Sequence, residues 1–215
     1  MPAWESPIIR VTTGLLNTVN DTVIAGQSGI TGVSKFSGQL GKTVTFTPDM
    51  ISLMFDSAVG TLYGGRFRYV RMREDDDDSP VLTPGKIVFW DTTVTDWYGA
   101  YQVTRDEILS TSDNAGAIAG IYLGGCEPVN YGFIQDLGKV PVRMRSVLTA
   151  AGATGSRVYA AGAGDLGLDQ GTGDVLTTDS TSLANKRYLG WADVAPVASA
   201  LSNVILDFTN VHGVA

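Results

Sequence analysis

The segment 117–147 constrains the fold most, because apolar side chains alternate through it between compact turns. Ala119, Ile121 and Leu123 fall on one face of the first run, with Tyr122 on the other. A glycine-rich turn with Pro128 ends this run, since proline has no N–H for a sheet ladder. Gly138 separates two further runs, whose same-face positions are Tyr131, Phe133, Gln135, Val140, Val142 and Met144. The alternation predicts three short strands.

A looser copy of this pattern lies at 190–208. Both copies run from a glycine through an apolar strand and a proline-containing connection into a second strand. Two copies do not make a repeat protein, since solenoids need three or more. The sequence instead predicts two similar hairpins that close one β-structure.

The composition favours a turn-rich β protein over a helical bundle. The chain has 26 glycines and only 17% charged residues among 215, against a usual charged share of about a quarter. A chain of this length can bury one sizeable core without disulfides. We expect a mainly β fold, a small barrel or sandwich-like domain with an extended N-terminal arm and at most one or two short helices. One helix is expected to begin at Thr47, where Pro48 and Asp49 follow a capping threonine.

The expected domain organisation is an arm over 1–45 and a β-rich domain over 46–215. The arm is polar and rich in glycine, and two interpretations stay open: an extended segment ordered by a partner, or a pair of edge strands on the body. Within the β-rich domain, 150–173 is expected to be a Gly/Ala-rich loop around a possible short strand at Arg157. The acids at 74–78 are expected in a solvated loop. The arm's candidate partner-contact residues are Ile8, Ile9, Val11, Val23 and Ile24.

Groups for catalysis or metal binding are scarce. His212 is the only histidine and Cys126 the only cysteine, so a zinc ligand set is absent. No common hydrolase or nucleotide-binding motif occurs. We therefore predict a protein that is not an enzyme and has no cofactor or metal. The net charge of −7 argues against nucleic acid. No apolar run approaches the ~20 residues that span a bilayer, so we expect a soluble protein made in a cytosol.

The segment 89–98 places aromatic residues beside carboxylates, and it has two interpretations. Trp90, Trp97 and Tyr98 could stack against a sugar while Asp91 and Asp96 accept its hydroxyl hydrogen bonds. Alternatively, the segment is an ordinary hairpin with Phe89 and Trp97 packed inward. Trp97 is the further candidate partner-contact residue.

Five segments in a fixed order resemble a known family. They are TLYGGRF at 61–67, GKIVFW at 85–90, AGIYL at 119–123, NYGFIQ at 130–135 and LGWA at 189–192. The set resembles the capsid decoration (cement) proteins of tailed bacteriophages, in which similarly spaced strands build a small β-domain on the outer shell. The arm, the acidic loop and the Gly/Ala-rich loop depart from the compact members of that family.

The resemblance implies a structural virion protein. Such a protein is made in the host cytoplasm, binds the major capsid protein on the outer capsid surface, and associates with itself as a homo-oligomer, with a trimer as the expected form. The family supplies no catalytic residues. The alternative is a carbohydrate-binding module that uses the aromatic residues around 90–98.

Overall fold

The computed structural model describes residues 41–49, 63–73, 83–91, 101–104, 118–123, 131–161, 171–175 and 188–207. Ten strands lie in these ranges: β1 (Thr43–Phe46), β2 (Gly65–Met72), β3 (Ile87–Trp90), β4 (Gln102–Thr104), β5 (Ile118–Tyr122), β6 (Tyr131–Arg143), β7 (Arg157–Ala160), β8 (Gly173–Val175), β9 (Tyr188–Ala192) and β10 (Leu201–Leu206). The predicted mainly β fold is confirmed. Pro48 and Asp49 have helical backbone, at the start of the predicted helix.

Five strands close into a ring in the order β2-β4-β3-β5-β6. Strand β2 pairs in parallel with β4 and antiparallel with β6, and the remaining neighbours pair antiparallel. Closure removes the open sheet edges that would otherwise expose unpaired backbone groups. A small cluster of buried side chains draws on every strand of this ring and fills its interior: Val70, Met72, Val88, Val103, Ala119, Tyr122 and Ile134.

A second group of strands continues from the far half of β6 in the order β6-β10-β9-β7-β8. A parallel bridge joins Met144, just beyond β6, to Gly173 at the start of β8, so this group also closes on itself. A larger core cluster packs the second group against the first ring and contains Phe67, Phe133, Val142, Val158, Leu189 and Val204 among others. Strand β6 is therefore the element that the two halves share.

Gly138 does not end a strand, as the alternation predicted, but lies inside the 13-residue strand β6. Its φ of 103° is a conformation that L side chains rarely adopt. On one side of Gly138 the strand pairs with β2, and on the other it pairs with β10. The glycine thus turns a single strand from the first ring into the second.

The two predicted hairpins are β5–β6 and β9–β10, and the first strand of each contains a β-bulge. Ala119 is the extra residue where β5 pairs with β3, and Leu189 is the extra residue where β9 pairs with β7. Each bulge reverses the alternation that follows it. Ala119 consequently lies in the small interior cluster and not with Ile121, and Tyr122 is buried, contrary to the predicted strand faces.

The sheet begins earlier than the predicted boundary of the arm. Strand β1 starts at Thr43 and pairs antiparallel with β2. Phe46 anchors it in the core, with ring centroids 5.1 Å from Phe67 and 5.3 Å from Phe133. In the predicted Gly/Ala-rich loop, the structure shows strand β7 at Arg157–Ala160 and the start of β8 at Gly173.

Candidate interaction surface

The sequence-predicted contact residues lie outside the described ranges. These residues are Ile8, Ile9, Val11, Val23, Ile24 and Trp97. Their roles as partner contacts remain predictions.

The structure describes residues 89–91 of the aromatic segment 89–98, and these residues are packed into the body of the protein. Phe89 is fully buried, and Trp90 packs against the interior cluster of the first ring. The Asp91 carboxylate is buried and accepts hydrogen bonds from Arg73 (3.1 Å) and Gln102 (2.9 Å). Asp91 is therefore already engaged within the protein.

A different surface has the character of a contact site: the outer face of β7, β9, β10 and the far half of β6. Direct cross-strand pairing aligns Arg157 with Trp191, Trp191 with Ile205, and Ile205 with Lys139. We call these four residues the Trp191 row. Trp191 and Ile205 are 39% and 43% exposed, so two large apolar side chains lie next to each other in solvent.

The row points outward because the opposite face of the same strands is the core. Val158, Ala192, Val204 and Val140 are the neighbouring positions on these strands, and all four are buried. A sheet with one packed face and one solvated face is typical of antiparallel strands. The four residues of the row therefore lie on the outer face of a sheet whose inner face is packed in the core.

Aromatic and cationic contacts hold Trp191 in place. The Arg157 guanidinium lies 5.3 Å from the Trp191 ring centroid, and Tyr188 meets the same ring edge-on at 5.7 Å. Tyr159 in turn meets Tyr188 edge-on at 5.8 Å. Burial, with a smaller contribution from Asp207, raises the pKa of Tyr188 to about 12.

Lys139, at the other end of the row, is held by two neighbours, Asp193 and Tyr63. Its Nζ lies 2.5 Å from Asp193 Oδ2 and 4.1 Å from the Tyr63 ring centroid, and Asn203 donates to the Tyr63 hydroxyl at 3.1 Å. The hydrogen bond to Asp193 raises the pKa of Lys139 above its usual range. The lysine is thus a positioned cation.

This chemistry suits contact with another protein. Protein interfaces are enriched in tryptophan, tyrosine and arginine, and their strongest contributions come from anchored aromatic side chains. Stacking against a sugar needs an open ring face, and the Arg157 guanidinium already lies over the Trp191 ring.

Three buried carboxylates lie away from the row, and each accepts a bond from at least one arginine. These partnerships are Asp136 with Arg66 and Arg68, Asp91 with Arg73, and Asp174 with Arg145. In the described ranges, no group of three or more histidine, cysteine, aspartate or glutamate side chains could hold a metal ion. Within those ranges there is also no helix long and apolar enough to cross a membrane.

Sequence reasoning did not single out the Trp191 row as a site. In the sequence, Trp191 belongs to the second hairpin and to the segment LGWA at 189–192, and strict alternation places it on the same face as Leu189. The signal that could have found it is the repeated pair of a bulged residue and a glycine, Ala119-Gly120 and Leu189-Gly190.

No known protein-family model matches the sequence, and no curated protein matches it either.

Proposed function

We propose that this chain is a structural virion protein that binds the outside of an assembled capsid and stabilises it. The Trp191 row is the surface that meets the shell, and the major capsid protein is the partner. The observation that carries the proposal is the pair of exposed apolar side chains, Trp191 and Ile205, held side by side on a packed sheet.

The sequence resemblance supports the same function. Each of its five segments overlaps a strand, namely β2, β3, β5, β6 or β9. Four of these strands belong to the first ring, and the fifth carries Trp191. One of these segments, LGWA, thus supplies a residue of the Trp191 row, and the other four lie in strands of the first ring, which shares β6 with the second group.

A rigid surface suits repeated binding to a shell. An assembled shell presents many identical sites, so binding is strengthened when several copies engage together. A side chain that is already positioned loses less conformational freedom on contact than a mobile one. Arg157 and Tyr188 restrict Trp191 in this way before any partner arrives.

The experiment is co-sedimentation with undecorated capsids of the phage that encodes the chain. Ile205→Asp and Trp191→Ala should each weaken binding roughly tenfold or more, because truncating an anchoring residue at the centre of an interface costs about 2 kcal/mol or more, and about 1.4 kcal/mol corresponds to a tenfold change. Thr43→Asp is the matched control, since Thr43 is exposed on β1 and lies off the row. Thermal melts of all three variants establish that the fold is retained.

If both row variants bind shells as well as the parent does, the row is not the shell contact. If the parent instead binds a polysaccharide and ignores shells, the alternative carbohydrate-binding function replaces the proposal.

A further inference from the structure

The outer face that carries the Trp191 row is positively charged, although the chain as a whole has a net charge of −7. The strands of this face, which are β7, β9, β10 and the far half of β6, contain no aspartate or glutamate. They contain three cations: Lys139, Arg143 and Arg157. Two aspartates follow the strands directly, and Lys139 pairs with one of them, Asp193.

Arg143 belongs to this face, although it is not part of the row. Its chain neighbours Val142 and Met144 are buried in the core, so alternation along β6 places Arg143 on the outer side together with Lys139. Arg143 lies four residues beyond Lys139, or about 13 Å along the strand. Arg157 lies three strands away from Lys139, or about 14 Å across the sheet. The cations therefore surround an area that is wide enough for a protein contact.

Two of these cations differ from every other arginine that the structure describes. Five of the seven arginines in the described ranges donate side-chain hydrogen bonds to aspartate or glutamine side chains: Arg66, Arg68, Arg71, Arg73 and Arg145. The other two are Arg143 and Arg157, and neither has a carboxylate partner among the described residues. The two arginines without a carboxylate thus lie on the same face as the exposed Trp191 and Ile205.

Arg143 is the more informative of the two, because it is partly shielded from solvent. Its Nε is buried and has no hydrogen-bond partner in the described part of the chain. Arginine cannot lose its proton in a protein, and a shielded charge is costly unless an acceptor replaces the lost water. Arg157 is exposed and lies over the Trp191 ring, which carries no formal charge. Both guanidinium groups therefore remain able to pair with a negatively charged acceptor from outside.

We infer that the surface which the Trp191 row meets on its partner is acidic, with carboxylates that pair with Arg143 and Arg157 beside an apolar centre. Carboxylates match the fork of donors on a guanidinium, and on a protein they are supplied by aspartate and glutamate. Complementary charges around an apolar contact fix the register of two protein surfaces and exclude wrong partners. This inference rests on the proposed function, since it names the chemistry of the shell surface that the row binds.

The first measurement is the affinity of the full-length chain for undecorated capsids as the salt concentration is raised. The affinity of the parent should fall, because salt screens the attraction between opposite charges. R143E/R157E should bind at least about a hundredfold more weakly, since like charges would then face each other. R143Q/R157Q should bind more weakly than the parent and should respond less to salt.

Lys42→Gln is the control for the loss of a positive charge, because Lys42 is exposed and precedes β1, away from the row. This variant should bind shells as the parent does. Thermal melts establish that each variant is folded. Arg157→Glu changes an exposed residue only, so it decides the test by itself if the Arg143 variants do not fold.

The second measurement needs no shell and uses poly-L-glutamate as the acidic probe. The isotope-labelled full-length chain is titrated in about 0.1 M salt, where charges more than about 10 Å away are largely screened. The probe should shift the backbone N–H resonances of the four strands that carry the outer face, and R143Q/R157Q should remove these shifts. Poly-L-lysine is the control and should not shift the same resonances.

Where shells are bound, the charge variants decide. Unchanged binding by R143E/R157E, or an equal loss in Lys42→Gln, overturns the inference and leaves the proposed function standing. Where no shell is bound, the decoration function fails and the titration decides. Shifts that depend on the two arginines then support an acidic partner of another kind, and their absence overturns the inference as well.

Discussion

At the scale of single residues, Asp174 contributes most visibly to local order. Its buried carboxylate accepts hydrogen bonds from Arg145, from the Thr149 N–H and hydroxyl, and from the Val175 N–H. A fully buried carboxylate is tolerated only when partners of this kind replace water. These bonds join strand β8 to the loop that carries Val147.

We expect Asp174→Ala to lower the free energy of unfolding by about 3–5 kcal/mol, because it removes the buried carboxylate that accepts hydrogen bonds from Arg145 and from Thr149. Urea unfolding of the parent and the variant measures the loss. Asp193→Ala is the control, since the Lys139–Asp193 pair is about a third exposed on both sides, and its loss of stability should be clearly smaller. Equal losses in the two variants would contradict the role assigned to Asp174.

Tyr188 gives a prediction about pH. The pKa of its hydroxyl is about 12 in the fold and about 10 in an unfolded chain. The unfolded chain therefore loses this proton first, so the stability tied to Tyr188 is fully present below pH 10 and is lost as the pH rises toward 12. Tyr188→Phe has no such proton, and its stability should fall less than that of the parent between pH 10 and 12.

At neutral pH, Tyr188→Phe should leave the stability within about 0.5 kcal/mol of the parent. The buried hydroxyl has no hydrogen-bond partner among the described residues, so removing it takes away no bond. Urea unfolding at pH 7 and at pH 11 measures both effects. Identical pH dependence in the two proteins would show that Tyr188 is not a buried group.

At the scale of elements, the positions of the strands could be predicted from the alternation of apolar and polar residues. Which face of the sheet some of the side chains lie on could not. Both hairpins lie where the sequence pattern predicts them. The bulges at Ala119 and Leu189 then shift the alternation, because an extra residue on one strand places the next side chain on the opposite face. The choice between a barrel and a sandwich stayed open in the sequence, since ring closure depends on the parallel pairing of β2 with β4, a strand of only three residues.

The glycine after each bulge allows a close approach between strands. A Cβ on Gly120 would lie 2.6 Å from the Gln135 carbonyl oxygen of β6, and a Cβ on Gly190 would collide with the Ile205 carbonyl oxygen of β10. In both hairpins the missing side chain therefore leaves room for the next strand.

Gly120→Ala and Gly190→Ala should each destabilise the fold by more than about 2 kcal/mol, because the strands must separate to admit the methyl group. Gly155→Ala is the control: Gly155 has positive φ, at 82°, as Gly190 does, but a Cβ there would meet nothing within 4 Å. It should cost only the backbone strain of about 1–2 kcal/mol. Thermal melts and urea unfolding rank the three variants, and a larger loss at Gly155 would be inconsistent with the described packing.

At the scale of the whole molecule, two closed groups of strands share β6, and the proposed contact surface lies on the second group. The sequence predicted a β body and candidate contacts in the arm and at Trp97, whereas the proposed contact surface depends on residues brought together from β6, β7, β9 and β10. Cross-strand rows of this kind follow from long-range pairing, which periodicity within a segment does not reveal.

The position of β1 gives a prediction about truncation. Deleting 1–40 should leave the melting temperature nearly unchanged while it weakens shell binding, as expected if Ile8, Ile9, Val11, Val23 and Ile24 contact a partner. Deleting 1–46 should in addition lower the stability by about 3–5 kcal/mol, because it removes buried Phe46 and its aromatic contacts. Equal melting temperatures for the two truncations would show that β1 is not part of the cooperative fold.

The measurement that tests the central claim most directly is the number of copies that co-sediment with each undecorated capsid as the concentration of the full-length chain is raised. The proposed function predicts saturation at a fixed ratio to the shell subunits, since a symmetric shell offers a defined number of equivalent sites. The bound particles should also resist heating better than bare shells, because binding to the assembled state stabilises it. Absence of binding, or binding that rises without saturation and leaves shell stability unchanged, would contradict the account.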